Sequence, residues 1–313
     1  MKKIPLWIDC DPGVDDAAAI LAALQLDELD IKGVSAVSGN VLLDKTYPNA
    51  RDLIALGGRE DIPVYKGADR PLRREPVTAA YVHGENGLGG AEIPHSAAPE
   101  QEKKAWDALY EAAVEAEGEL ILVAVGPLTN IGMALAKYGE LPRLIKKAVI
   151  MGGSATMGNT TPAAEFNVYV DPEAADMLFA SGIPVVMCGL DVTLKAKVMP
   201  PEIDKLAEYG SQGKFLSRAL QTSLAFTTSL GFDGVFLHDV CPVFYCVDPD
   251  MFTAELAGVR VETKGKYTAG KTVTDLYSDY QFDFKNTLVV LDVDREAFVE
   301  KFMGLMAKYG RQA

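Results

Sequence analysis

Ile4-Pro-Leu-Trp-Ile-Asp-Cys-Asp-Pro-Gly-Val-Asp-Asp16 is a short apolar strand that stops in a cluster of acids and runs into the apolar stretch Ala17 to Leu26. Asp9, Asp11, Asp15 and Asp16 fall within eight residues. Buried carboxylates are costly unless paired or bound to a cation, so a strand interior excludes them. Here they begin where the strand ends. Pro12 and Gly13 turn the chain, and Asp15 and Asp16 open a helix, whose N-terminus favours negative charge. Strand alternation points Asp9 and Asp11 to one side and Cys10 to the other. Acidic oxygens therefore converge beyond the carboxyl end of a strand, where open α/β sheets bind ligands. Helix capping by Asp15 or Asp16, or a solvated surface cluster, is the plainer alternative. Four converging carboxylates repel one another and raise each other's pKa unless a cation intervenes. Hard oxygen donors suit Ca²⁺ or Mg²⁺ rather than zinc.

Working outward, strands and helices alternate. Ile31–Ser38 reads as the second strand, ending at Gly39-Asn40, and a helix follows over 44–56. Pro63–Tyr65 is a short strand. Residues 67–100 form a long Gly- and Pro-rich segment, and segments of this length are often functional. A polar helix over 102–117 turns Trp106, Leu109 and Ala113 inward. The apolar run 119–125 has the character of a strand buried on both faces of a parallel sheet. Strands are also expected at 148–151 and 184–188. Pro172 suits a helix's first turn. Residues 201–230 read as helical, 255–293 as antiparallel strands and 295–309 as a closing helix. The expected fold is α/β: a mainly parallel, doubly wound (Rossmann-like) sheet with helices on both faces and a small antiparallel addition near the C-terminus. No linker or repeat divides the chain, so one domain is expected over 1–313.

Composition narrows the function. The formal net charge of −14 disfavours nucleic acid and anionic membranes as partners. The cysteines Cys10, Cys188, Cys241 and Cys246 have no framework spacing and read as reduced thiols of a cytoplasmic protein. The apolar run after Lys2 and Lys3 meets Asp9 too soon for a signal peptide, and no stretch approaches the ~20 apolar residues of a membrane span.

Asp9 and Asp11, Asn40, Thr129 and Asn130, Met151 with Gly152-Gly153, and Asp191 all follow expected parallel strands, so one sheet edge can gather them. Asp9-Cys-Asp-Pro-Gly-Val-Asp-Asp16 resembles the amino-terminal signature of the inosine-uridine preferring nucleoside hydrolases. Further motifs follow in that family's order: His83-Gly-Glu-Asn-Gly-Leu-Gly, Val125-Gly-Pro-Leu-Thr-Asn130, Met151-Gly-Gly, Ala164-Glu-Phe-Asn167 with Asp171-Pro172, and His238-Asp239 before Cys241-Pro242.

The resemblance implies hydrolysis of the N-glycosidic bond of ribonucleosides to ribose and free base, a bound Ca²⁺, and a homodimer or homotetramer. Carried over by motif, Asp11, Asp16, the carbonyl of Thr129 and Asp239 hold calcium. Asp11 is the general base toward a calcium-bound water, and His238 serves the leaving base. Asp15 binds the 2′-hydroxyl and Asn167 the 3′-hydroxyl. Asn159 and Glu165 hold the 5′-hydroxyl, Met151 packs on the sugar, Asn40 supports the water or hydroxyls, and His83 contacts the base or ribose. His95 reads as a loop residue. Thr129 and Asp239 each have an alternative as helix caps, and Asn167 as a turn residue. Residues 222–231 lack the tyrosines that some members place over the base, and neither Trp7 nor Trp106 suits base stacking. The expectation is broad or pyrimidine-leaning specificity. A haloacid-dehalogenase-like Mg²⁺ phosphatase with Asp9 as nucleophile, and a non-catalytic ribose-binding protein, are the rival readings.

Overall fold

The computed structural model describes residues 3–277 and 282–311. In chain order its elements are β1 (Ile4–Cys10), α1 (Val14–Leu24), β2 (Leu29–Ala36), α2 (Leu43–Leu56), β3 (Val64–Lys66), α3 (Ala80–His83), α4 (Ala105–Glu115), β4 (Leu120–Ala124), α5 (Thr129–Lys137), α6 (Leu141–Leu144) and β5 (Ile145–Met151). Then come α7 (Phe166–Val170), α8 (Pro172–Ala180), β6 (Val185–Cys188), α9 (Leu190–Thr193), β7 (Lys197–Val198), α10 (Pro200–Leu206), α11 (Gly210–Ser229) and β8 (Val235–Phe236). The chain finishes with α12 (Val240–Val247), β9 (Phe252–Val261), β10 (Thr272–Asp275), β11 (Thr287–Val293) and α13 (Arg295–Arg311).

Nine strands form one sheet in the order β10-β9-β11-β6-β5-β4-β1-β2-β3. From β3 through β11 the neighbours run parallel. β9 is antiparallel to β11, and β10 to β9. The expected architecture is therefore present, with one refinement. β11, read as part of an antiparallel set over 255–293, joins the parallel sheet beside β6 and is antiparallel only toward β9. Residues 278–281 of that stretch lie outside the described residues. The helical stretch expected over 201–230 divides into α10 and α11, with Gly210 at a φ of 68° opening α11.

Alternation in β1 explains the layering. Leu6, Ile8 and Cys10 join the core beneath α1, α2, α11, α12 and α13, whereas Trp7 joins the core beneath α4, α5 and α8. Each fully buried Leu or Ile contributes roughly 1.5–3 kcal/mol. α1 is buried along its whole length, as its all-round apolar sequence requires. Because α1 packs on one face and α5 on the other, the chain reverses its winding between β1 and β4. That gap between adjacent strands is the crevice where doubly wound sheets place ligands. The antiparallel pair β7–β8 lies outside the sheet and joins the segment after β6 to the segment before α12.

Candidate active site

The carboxyl ends of β1 and β4 floor a cavity of about 360 Å³, the size of a small-molecule site. Its floor starts with Asp16, the third residue of α1. The Asp16 carboxylate accepts from the backbone N–H of Gly13 at 2.8 Å and of Asp11 at 3.1 Å. The capping alternative is therefore real for Asp16, yet capping does not exhaust it. Asp15, Asp16 and Asp239 bring carboxylate oxygens within 4.8 Å of one another. Asp239 occupies the position before α12 but makes no capping bond with its side chain.

Asp11 lies beside this trio. Its Oδ2 accepts from the backbone N–H of Asn40 at 2.7 Å, while its buried Oδ1 has no partner. Two glycines make room for it: a Cβ on Gly39 would come within 2.0 Å of Oδ2, and one on Gly126 within 2.6 Å of Oδ1. The Asn40 side-chain amide donates to Asp16 Oδ2 at 3.1 Å and to the Asp11 carbonyl at 3.2 Å. Among the described residues no lysine or arginine pairs with any of the four acids. Burial first, and then the neighbouring acids, push Asp11 and Asp239 well above the usual carboxylate range. Burial and Asp16 raise Asp15 to about 7, and burial raises Asp16. Four buried acids without a counter-charge form the oxygen donor set that a hard divalent cation takes.

The walls carry the other expected residues. Asn167, at the start of α7, donates its amide to the carbonyls of Val125 at 2.8 Å and Met151 at 3.2 Å, which leaves its side-chain oxygen free. Glu165 caps α7, accepting from Asn167 N at 2.9 Å and Val168 N at 3.2 Å, and also takes the N–H of Gly153 at 2.9 Å. Burial raises its pKa. Asn159 accepts from Phe166 N at 2.9 Å. Met151, at the end of β5, also faces the cavity. His83, delivered by α3, accepts from the backbone N–H of Val14 at 3.1 Å through Nδ1. It stands 3.9 Å from Asp15, but burial holds it near 4, so the contact is not an ion pair. His238 contacts the Thr193 hydroxyl at 2.7 Å through Nδ1, and burial holds it near 4 as well. His95 is exposed and pairs with Asp52 at 2.8 Å, away from the cavity.

The structure does not bring every expected residue to the cavity. Thr129 opens α5, gives its hydroxyl to Asp171 at 2.7 Å and borders a different surface hollow beside Trp106. Thr129, whose carbonyl is the expected cation ligand, is not among the residues that line the cavity. The residue that faces the cavity from this segment is Val125, the first after β4, whose carbonyl lies beside Asn167. Asn130 turns back to Asp9 at 2.7 Å and Ala68 N at 2.8 Å. Asp9 is sealed behind the floor, accepting from Asn130 and the Ser35 hydroxyl, and burial raises it to about 7. A nucleophilic Asp9, which the phosphatase alternative needs, has no access to the cavity. Asp191 binds the 154–156 loop, accepting from Ala155 N at 2.7 Å.

Aromatic residues line the outer half. Tyr81 meets Phe226 edge-on at 5.8 Å, and Phe232 meets Phe236 at 5.0 Å. Tyr81 stands two residues before the His83 motif, and only the fold brings it opposite α11. Thr222 on α11 donates to the Gly89 carbonyl at 2.8 Å, fastening the long segment to α11.

Comparison with known proteins agrees with this geometry. The family model described as inosine-uridine preferring nucleoside hydrolase matches residues 6–300. The chain is 44% identical over 309 residues to the pyrimidine-specific ribonucleoside hydrolase RihA of Klebsiella pneumoniae, covering 98% of this chain and 99% of that one. It is 43% identical over 308 residues to the protein of the same name from Photobacterium profundum, covering 97% and 99%. The solved purine-preferring ribonucleoside hydrolase from Gardnerella vaginalis superimposes with a TM-score of 0.92 at 33% identity, covering 99% of this chain and 100% of that one. Similarity of this extent, over nearly the whole of each chain, shows that the chain belongs to the inosine-uridine preferring nucleoside hydrolase family and is a ribonucleoside hydrolase.

Proposed function

We propose that this ribonucleoside hydrolase is a calcium enzyme that prefers pyrimidine ribonucleosides. The observation that carries the cation is the buried floor itself: Asp15, Asp16 and Asp239 within 4.8 Å of one another, beside an Asp11 oxygen with no partner. Asp11, Asp16, Asp239 and the Val125 carbonyl are the donors we assign, in the oxygen chemistry calcium takes. When bound, calcium neutralises the acids, lowers the pKa of water and grips vicinal hydroxyls.

The chain's own groups do the rest. Asn40 holds one oxygen of Asp11, so the other is aimed and available to remove a proton from the attacking water. Asp15 takes the 2′-hydroxyl, and the free oxygen of Asn167 takes the 3′-hydroxyl. Asn159 and Glu165 receive the 5′-hydroxyl, with Met151 against the sugar. As the C1′–N bond lengthens, positive charge grows on the ribose, and the surrounding acids favour it. His83 and His238 face the base end of the cavity.

Preference for pyrimidines rests on the two RihA relatives and on a base region lined by Phe226, Phe232, Phe236 and Tyr81 without tryptophan. A turnover panel over uridine, cytidine, inosine and adenosine tests it, with thymidine as the 2′-deoxy control. Uridine and cytidine should exceed the purines at least tenfold in kcat/KM, and thymidine should be inert. Purine turnover equal to or above uridine turnover would reject the preference.

A further inference from the structure

We propose that Thr193 is a positioning residue that fixes the tautomer of His238, so that Nε2–H faces the leaving base as a hydrogen-bond donor. This rests on the reading of His238 as the residue at the base.

The Thr193 hydroxyl is fully buried, and its hydrogen-bond partner is His238 Nδ1 at 2.7 Å. The contact alone leaves the direction open, because either atom can donate. The surroundings decide it. Among the described residues the Thr193 hydroxyl has no hydrogen bond to the carbonyls of Gly189 or Leu190, or to any group other than His238 Nδ1. A buried hydroxyl hydrogen without an acceptor is strongly disfavoured. The hydrogen therefore goes to Nδ1, Nδ1 is the acceptor, and the ring proton of the neutral imidazole sits on Nε2. Nε2 makes no hydrogen bond within the described residues, and His238 is part of the cavity wall.

His83 supplies an internal parallel. Its Nδ1 accepts from the Val14 backbone N–H at 3.1 Å, and a backbone N–H can only donate. Both histidines at the base end thus present Nε2–H to the cavity.

The fold holds the pair in register from both sides. α9 is tethered at its start, where Leu190 N donates to the Gly153 carbonyl at 3.0 Å, and Leu237 N donates to the Ala196 carbonyl at 2.9 Å. The β7–β8 ladder pairs Lys197 with Phe236 and Val198 with Val235. The short second sheet therefore clamps the histidine segment onto the threonine segment.

In the reaction, the water oxygen bonds to C1′ while the C1′–N bond breaks and its electron pair stays with the base. Nε2–H donates a hydrogen bond to the base atom on which that charge collects. The water proton goes to Asp11, and solvent supplies the proton of the released base.

Two measurements test this. The described histidines are three, so ¹⁵N-labelled protein gives an assignable spectrum, with His238→Gln identifying the His238 signals. In the wild type, Nε2 should carry the proton of His238; a predominantly Nδ1-protonated ring overturns the proposal whatever the activity data say. Kinetics then compare Thr193→Val and Thr193→Ser on uridine and on p-nitrophenyl riboside, whose leaving group needs no assistance. Thr193→Val should lower kcat on uridine about 10- to 100-fold and change p-nitrophenyl riboside cleavage less than about threefold, with Thr193→Ser restoring most of the loss. Equal losses on both substrates, with Nε2 still protonated, would remove His238 from the base and the proposal with it. If Thr193→Val does not fold, the wild-type tautomer and the Thr193→Ser kinetics decide alone.

Discussion

Asp16 does two jobs with one carboxylate, and a substitution can separate them. It caps α1 through Gly13 N and stands among the acids of the floor. Losing a cap costs about 1 kcal/mol, far too little to unfold a domain with this core. Asp16→Ala should therefore remain folded by circular dichroism while uridine hydrolysis falls at least about a thousandfold and calcium retention is lost. Full activity in that variant would refute the ligand assignment. Gly39 tests the neighbouring acid without touching its charge. A methyl group there meets Asp11 Oδ2 at 2.0 Å and Pro127 Cδ at 2.7 Å, so Gly39→Ala must displace the carboxylate. A 1 Å error at a catalytic group costs about 10²-fold, and kcat should fall by about that factor while the Asp11 charge stays. An unchanged kcat would mean that the carboxylate position is not critical. The acids themselves are legible in the sequence because buried carboxylates are rare and their spacing is short. The Thr129 segment is harder to read for the opposite reason. A backbone carbonyl carries no side-chain signature, so the sequence points to the polar residue at the helix start, whereas the residue of this segment that lines the cavity is Val125, where β4 delivers the chain.

At the scale of elements, β1, β4, β5 and β6 are legible from apolar runs ending in Gly, Pro or a polar residue, whereas β11 is read only within the antiparallel stretch although it joins the parallel sheet. The ends shift by a few residues because hydrogen bonding, not hydropathy, sets them. Less legible is what short elements do. α3, α7 and α9 have five residues or fewer, too few for a periodicity, yet they carry His83, Asn167 and Thr193. Their geometry comes from tertiary contacts. Glu165 is the clearest case, since its two carboxylate oxygens accept three backbone N–H groups from Gly153, Asn167 and Val168. A glutamine has one oxygen to offer and presents an NH₂ to the remaining donors. Each buried N–H left without an acceptor costs about 1–3 kcal/mol. Glu165→Gln should lower stability by about that amount in urea unfolding. It should also raise KM for uridine more than it lowers kcat, because α7 and the Gly153 turn carry the residues we assign to the sugar. A variant as stable as the parent would show that these bonds contribute nothing net.

At the scale of the whole molecule, the acids of the floor come from two stretches far apart in the chain. Asp11, Asp15 and Asp16 follow β1, and Asp239 precedes α12 after the β7–β8 ladder. Among the described residues no helix is long and apolar enough to cross a membrane, and the stability of the chain rests on the sheet and its two helical layers. We propose that these unfold together as one domain, in a single cooperative transition. A cation that binds the folded floor and not the unfolded chain adds RT ln(1 + [L]/Kd), about 2.7 kcal/mol at a hundredfold excess over Kd. Without it, the same four carboxylates must either repel one another or take up protons. Chelation should therefore lower the Tm by several degrees, since each kcal/mol is worth roughly 2–4 °C in a large domain. Added calcium should restore the Tm, and the transition should stay single throughout. Asp16→Ala should start from the lower Tm and respond to neither chelator nor calcium. This differential matters because a chelator can act indirectly on any protein, whereas only an ion held by the floor makes its effect vanish when one floor carboxylate is removed. A chelator-insensitive Tm in metal-analysed, calcium-free protein would separate the hydrolase fold from the cation and leave the four acids to be explained by protonation alone.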